Sequence, residues 1–181
     1  MTKKNQRLDA QIRLTPPPEN TEEELGEVID QYFNRVVPNT LQDDMDRNVE
    51  GLFDKIILKE ARKSILEDIV SIARSIEPDI TFYKKLYNRK RPSEYAKSIG
   101  LEWTGDDHNM GTTDTASYPS GHTCQAYYIA LNLSDIYEDL EDQFMSLAED
   151  VAQSRVDRGV HYPSDLDGGV ELAIKVYNSE K

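Results

Sequence analysis

Apolar residues recur along most of the chain at the three- and four-residue spacing of helices. No segment sustains the two-residue alternation of a half-buried strand. After Pro16-Pro17-Pro18, Thr21 and Glu24 have capping-box spacing, and apolar residues at 25, 28, 29, 32, 33 and 36 predict an amphipathic helix closed by Pro38. From Thr40 to Glu77 the helical period continues, with Gly51 expected to divide the stretch into two helices. Pro78 is expected to open a further helix, carrying Ile80, Phe82, Tyr83, Leu86 and Tyr87 and stopping at Pro92. Helical patterning resumes at about 122–138 and 141–158, and a last helix runs from Pro163-Ser164 towards Tyr177. Residues 92–121 form the one long irregular region, which in a compact domain marks function or mobility. The pattern predicts an all-α fold, a single-domain helical bundle of about seven helices over residues 15–181, preceded by a polar arm at 1–14.

Charge narrows the partners. The chain has 181 residues, 34 acidic against 21 basic, and a net charge of -13, which argues against binding a nucleic acid polymer or an anionic lipid surface. The N-terminus has no apolar run that would read as a secretory signal. The longest uncharged stretch, Thr115 to Ser134, holds Pro119, Gly121, His122, Gln125 and Asn132, unlike a membrane span of ~20 apolar residues. Cys124 is alone, so there is no internal disulfide framework, and it reads as a small buried residue. A soluble, cytoplasmic protein with no membrane association is the expectation; homo-oligomer formation is left open.

The residues that could carry chemistry fall in three places. His122 follows Pro119-Ser120-Gly121 at a helix start, where small residues leave backbone N–H groups open to an anion. His161 lies just before the last helix and Asp165 in its first turn, where a carboxylate can fix one imidazole nitrogen and leave the other as a nucleophile. Ser154-Arg155 close the preceding helix and could bring a guanidinium to the same place. Lys84, Lys85, Arg89, Lys90 and Arg91 put five cations into eight residues, and Lys84 and Arg91, seven apart, are expected on one helix face. Cations, helix N-termini and two histidines together describe a site for a phosphoryl group.

Lys84, six residues, Arg91-Pro92; Pro119-Ser120-Gly121-His122; and Ser154-Arg155, five residues, His161, three residues, Asp165 resemble, in this order, the signature of the type-2 phosphatidic acid phosphatase superfamily. That superfamily includes class A acid phosphatases, membrane lipid phosphatases and vanadium-dependent haloperoxidases, and its fold is an α-helical bundle. The resemblance implies a metal-independent phosphomonoesterase acting on small soluble phosphate esters, nucleotides among them, through a phosphohistidine intermediate. It makes His161 the nucleophile, Asp165 its orienting partner and His122 the general acid and base. Lys84, Arg91, Arg155, the Ser120 hydroxyl and the Gly121 N–H would hold the phosphate, with no metal or cofactor and with vanadate as a phosphate mimic and inhibitor. Arg89, outside the signature, is expected to matter much less.

Other readings stand beside this one. A haloperoxidase shares the signature, and a non-catalytic helical interaction module would need none of it. Asp106, Asp107, His108 and Asp114 could bind a cation but read better as a polar loop. Asp165-Leu166-Asp167-Gly168 resembles part of a calcium loop without the remaining ligands. Charges at Asp167, Glu171 and Lys175 place a polar stripe on the last helix, expected to face water.

Overall fold

The computed structural model describes residues 12–36, 39–60, 62–107, 110 and 113–181, and these residues contain helices and no strand. The order is α1 (Glu22–Asn34), α2 (Asn39–Arg47), α3 (Val49–Lys59), α4 (Leu66–Tyr87), α5 (Pro92–Ser98), α6 (Gly121–Ser134), α7 (Glu141–Asp157) and α8 (Pro163–Ser179), with a 3₁₀ turn at Glu138–Leu140 leading into α7. The all-α expectation holds; three boundaries differ.

Gly51 lies inside α3, and the break falls at Asn48, whose φ of -148° and ψ of 45° leave the helical region. A glycine inside a helix costs only about 1 kcal/mol, which tertiary packing overrides. Pro78 opens no helix but sits within α4. It has no N–H, so the Arg74 carbonyl loses its helical partner, a disruption of about 3 kcal/mol. Burial of Ile69, Ala73, Ile76, Ile80 and Tyr83 along that helix outweighs it, since each large apolar side chain contributes about 1.5–3 kcal/mol. Finally, α4 ends at Tyr87 and not at Pro92. Asn88 takes the left-handed conformation (φ 45°), which asparagine tolerates, and Pro92 opens the short helix α5 inside the stretch expected to be irregular.

Helix α6 is the centre of the bundle, packed against α4, α7 and α8. Thr123, Cys124, Ala126, Tyr128, Ile129, Ala130 and Leu133 are all buried, as a helix enclosed on several sides requires. One apolar cluster joins it to Phe53 and Ile57 of α3, Ile69 of α4, and Phe144 and Val151 of α7. A second joins it to Ile76, Ile80 and Tyr83 of α4 and to Leu172 and Val176 of α8, and includes Leu14. The α8 stripe is not simply solvated: Glu171 accepts from the Thr15 hydroxyl at 2.9 Å, and Lys175 donates to the Arg13 carbonyl, tying down the chain before α1. A third cluster, with Leu25 and Val28 of α1, Ala96 of α5, Val156 and Tyr162, closes the end where α7 hands over to α8.

Candidate active site

The N-terminal ends of α5, α6 and α8 and the C-terminal ends of α4 and α7 converge there, and together they bring the motif residues. Asp165 is in the first turn of α8 and completely buried. Its Oδ2 accepts from the Tyr162 N–H at 3.0 Å, capping its own helix, and faces His161 Nδ1 at 3.2 Å. On the other side of the ring, Arg91 Nη1 lies 3.3 Å from His161 Nε2. A guanidinium can only donate and a carboxylate only accept, so the two partners fix one neutral tautomer. The proton sits on Nδ1 towards Asp165, and the Nε2 lone pair points at the cations. Burial and the Arg91 charge push the His161 pKa well below its ordinary value, keeping the ring neutral.

Lys84 and Arg91 reach the site from different helices. The expectation of a shared helix face fails because Asn88 turns the chain between them, and Arg91 becomes the N-cap residue of α5. They are reunited by the segment 115–117. Lys84 Nζ donates to the carbonyls of Ala116 and Ser117, and Arg91 Nε donates to that of Thr115 at 2.8 Å. Burial and the neighbouring Arg91 lower the Lys84 pKa to about 7.

Ser120 caps α6, its Oγ accepting from the Thr123 hydroxyl at 2.8 Å, and its backbone N–H donates to the Asp165 carbonyl at 2.9 Å, joining two signature blocks directly. Gly121 is the first residue of α6, next to Lys84: a Cβ there would lie 3.8 Å from Lys84 Cε. His122 projects from that first turn, and its Nε2 donates to the Asp46 carbonyl at 2.9 Å. Burial, reinforced by Arg155, lowers the His122 pKa to about 3. Arg155 is 1% exposed and pairs with Asp46 through Nη1 and Oδ1. All eight residues expected from the signature are therefore gathered at one end of the bundle.

Four further residues belong to the same constellation and carried no sequence signal of it. Arg89, expected to be peripheral, is 6% exposed and donates to Asp165 Oδ1 at 2.7 Å. Ser117 Oγ donates to Asp165 Oδ2 at 2.5 Å. Glu24, read as half of a capping box, leaves the cap to Thr21 and instead pairs with Arg89 at 2.7 Å. Asp46 comes from α2, far away in sequence, and lies over Arg155 and His122. Three residues before it Asp43 pairs with Arg158, three residues after Arg155, at 2.8 Å, so α2 is held across the site by two ion pairs in step.

Two of the other acidic candidates have structural partners. Asp106 pairs with Arg35 and Arg158 and accepts from the Tyr32 hydroxyl at 3.1 Å, and Asp107 accepts from Ser93. His108 lies outside the described residues. Among the described residues, no group of three or more His, Cys, Asp or Glu side chains is placed to hold a metal ion.

The PAP2 superfamily pattern matches residues 69–177, a span that contains every one of these motif residues. This chain belongs to the PAP2 superfamily. Similar curated proteins include the non-specific acid phosphatase of Salmonella typhi, 26% identical over 176 residues that cover 90% of this chain and 69% of that enzyme. The non-specific acid phosphatase of Providencia stuartii is 33% identical over 84 residues, 46% of this PAP2 chain and 33% of the enzyme. The fold is similar to that of a transmembrane PAP2 type phosphatidylglycerolphosphate phosphatase from Bacillus subtilis, with a TM-score of 0.52, 17% identity, and coverage of 87% of this chain and 82% of that one.

These relationships overturn the expected cytoplasmic location. A transmembrane PAP2 enzyme shares the fold, so an acidic, charged chain does not fix a compartment. Among the described residues, no helix is long and apolar enough to cross a membrane.

Proposed function

We propose that this PAP2 chain is a metal-independent phosphatase that hydrolyses small phosphate monoesters, nucleotides among them, through a phosphohistidine on His161. The observation that carries the reading is the pair of contacts on His161, Asp165 behind Nδ1 and Arg91 ahead of Nε2, which leaves a lone pair aimed into a cluster of cations. In the first step Nε2 attacks phosphorus while the ester P–O bond breaks. Protonated His122 gives its proton to the departing oxygen. Lys84, Arg91 and Arg155 spread over the equatorial oxygens the charge that a divalent ion would otherwise balance, with the Ser120 hydroxyl and the Gly121 N–H as neutral donors.

In the second step, neutral His122 takes a proton from water as that water attacks phosphorus. The P–N bond breaks, phosphate leaves, and the lone pair returns to His161. His122 is neutral without substrate; an arriving phosphate dianion favours its protonated form, which is the form the first step needs.

His161 is 2% exposed and Asp46 occupies Arg155, while Lys84 and His122 stay partly open to solvent. Substrate phosphate would therefore compete with the Asp46 carboxylate for Arg155. Rapid quenching of the enzyme with ³²P-labelled substrate is the test. Label bound as an acid-labile, base-stable phosphoramidate, absent from His161→Ala, is expected, with turnover indifferent to EDTA and inhibited by vanadate. Turnover that collapses with EDTA and returns with magnesium or zinc would defeat the metal-free mechanism.

A further inference from the structure

We propose that Arg89 is the positioning residue of the nucleophile: it holds Asp165 ionised and oriented, and through Asp165 it sets the tautomer and basicity of His161. This rests on the assignment of His161 as the nucleophile.

The side chain is placed for that task and not for substrate. Its Nη1 donates to Asp165 Oδ1 at 2.7 Å and to the Ser164 hydroxyl at 2.7 Å, its Nη2 donates to Glu24 at 2.7 Å, and its Nε donates to Asn20 Oδ1 at 2.9 Å. The guanidinium carbon lies over the Tyr162 ring, 4.3 Å from its centroid. Each of its three nitrogens is committed to protein, whereas Arg91 meets the nucleophilic nitrogen itself.

The carboxylate is held on both edges. Oδ1 takes Arg89, and Oδ2 takes Ser117, the Tyr162 N–H and His161, so the carboxylate plane cannot turn away from the imidazole. Ser117 is fixed by the same residue, its N–H donating to the Arg89 carbonyl at 2.9 Å. A fully buried carboxylate facing a neutral imidazole would gain by taking up a proton. The adjacent fixed charge of Arg89 opposes this. A protonated Asp165 would no longer hold the Nδ1 proton, and the lone pair needed for attack would be lost from Nε2.

The two histidine–carboxylate groups titrate as a pair, so removing the nearby positive charge makes the pair take up its proton at a higher pH. In Arg89→Gln, kcat is expected to fall about 10- to 100-fold, the size of effect typical when an outer hydrogen-bonding partner that orients a ligating side chain is lost. The acid limb of kcat/KM is expected to move to higher pH, while the inhibition constant for inorganic phosphate stays close to that of the unaltered protein. Arg89→Lys, which keeps the charge but not the fork, is expected to return the limb while kcat remains low. Glu24→Gln loosens the same buried network without touching Asp165, and is expected to lower the melting temperature with the limb in place.

An unshifted limb and unchanged kcat in Arg89→Gln would overturn the proposal, as would weakening of phosphate inhibition equal to that in Arg91→Ala. A Glu24→Gln enzyme that copies the shift would reduce Arg89 to a structural role. Should Arg89→Gln not fold, Arg89→Lys decides, an unaltered kcat refuting the idea. His161→Ala separates the two levels: activity surviving there removes the nucleophile reading and this one with it, whereas an inactive His161→Ala beside an unaffected Arg89→Gln removes this one alone.

Discussion

Asp46 Oδ1 lies 3.0 Å from Arg155 Nη1, with both side chains buried, so an internal carboxylate occupies the guanidinium assigned to the substrate's phosphate. Asp46→Asn keeps the shape and removes the competing charge. A charge-assisted hydrogen bond contributes roughly 1.5–3 kcal/mol, so phosphate should bind about 10- to 100-fold more tightly to the variant. Calorimetric titration with inorganic phosphate checks this. Weaker binding would mean that Asp46 holds Arg155 in place for the substrate and does not compete with it.

Lys84 gives the site a pH dependence of known sign. Its pKa is lowered to about 7, so the ammonium that would meet phosphate is present below that pH and lost above it. Phosphate inhibition should weaken as pH rises through 7. In Lys84→Arg the charge persists throughout, and the dependence should flatten to that of phosphate's own ionisation. Parallel pH profiles for the two proteins would show that Lys84 does not titrate in this range.

The two histidines should fail differently. His161→Ala should reduce turnover to background for every substrate. His122→Ala should cripple an alkyl phosphate, whose leaving oxygen needs a proton, about 10²–10⁴-fold, the usual scale of general acid catalysis. A nitrophenyl ester, with its good leaving group, should be spared in the first step and should show a burst of nitrophenol before slow phosphate release. Rapid mixing checks this, and a burst from His161→Ala instead would reverse the assignment.

Helix α8 packs so closely on the start of α6 that its glycines are structural. A Cβ on Gly169 would lie 2.8 Å from the Ser120 carbonyl oxygen, and one on Gly168 would lie 2.3 Å from the Tyr118 ring. Gly169→Ala should cost about 1–3 kcal/mol, as overpacking does, and should lower activity by displacing Ser120. Gly26→Ala on α1, where a Cβ meets nothing within 4 Å, should be neutral or stabilising by up to about 1 kcal/mol. Thermal melts compare the pair; equal effects would mean that the α6–α8 contact yields easily.

Periodicity alone determined that the chain is helical, and the three ordered blocks alone determined the eight residues that gather at the site. Both kinds of information are local. Apolar spacing records which face of a helix is buried, and a proline–serine–glycine–histidine run records a helix start. Even so, local signals at Gly51 and Pro78 misplaced two boundaries, because their costs of about 1 and 3 kcal/mol are smaller than the packing energy of the helices they sit in.

Tertiary structure decided the rest. Arg89 and Arg91 stand two apart in one basic run, and nothing in that run tells them apart. The left-handed turn at Asn88 lies just before both, and one goes to the Asp165 carboxylate on the Nδ1 side of His161 while the other goes to Nε2. Asp46 reaches Arg155 across 109 positions, and Glu24 reaches Arg89 across 65. Such pairs have no spacing to read, because a buried charge needs an opposite charge close in space and not at any particular distance along the chain.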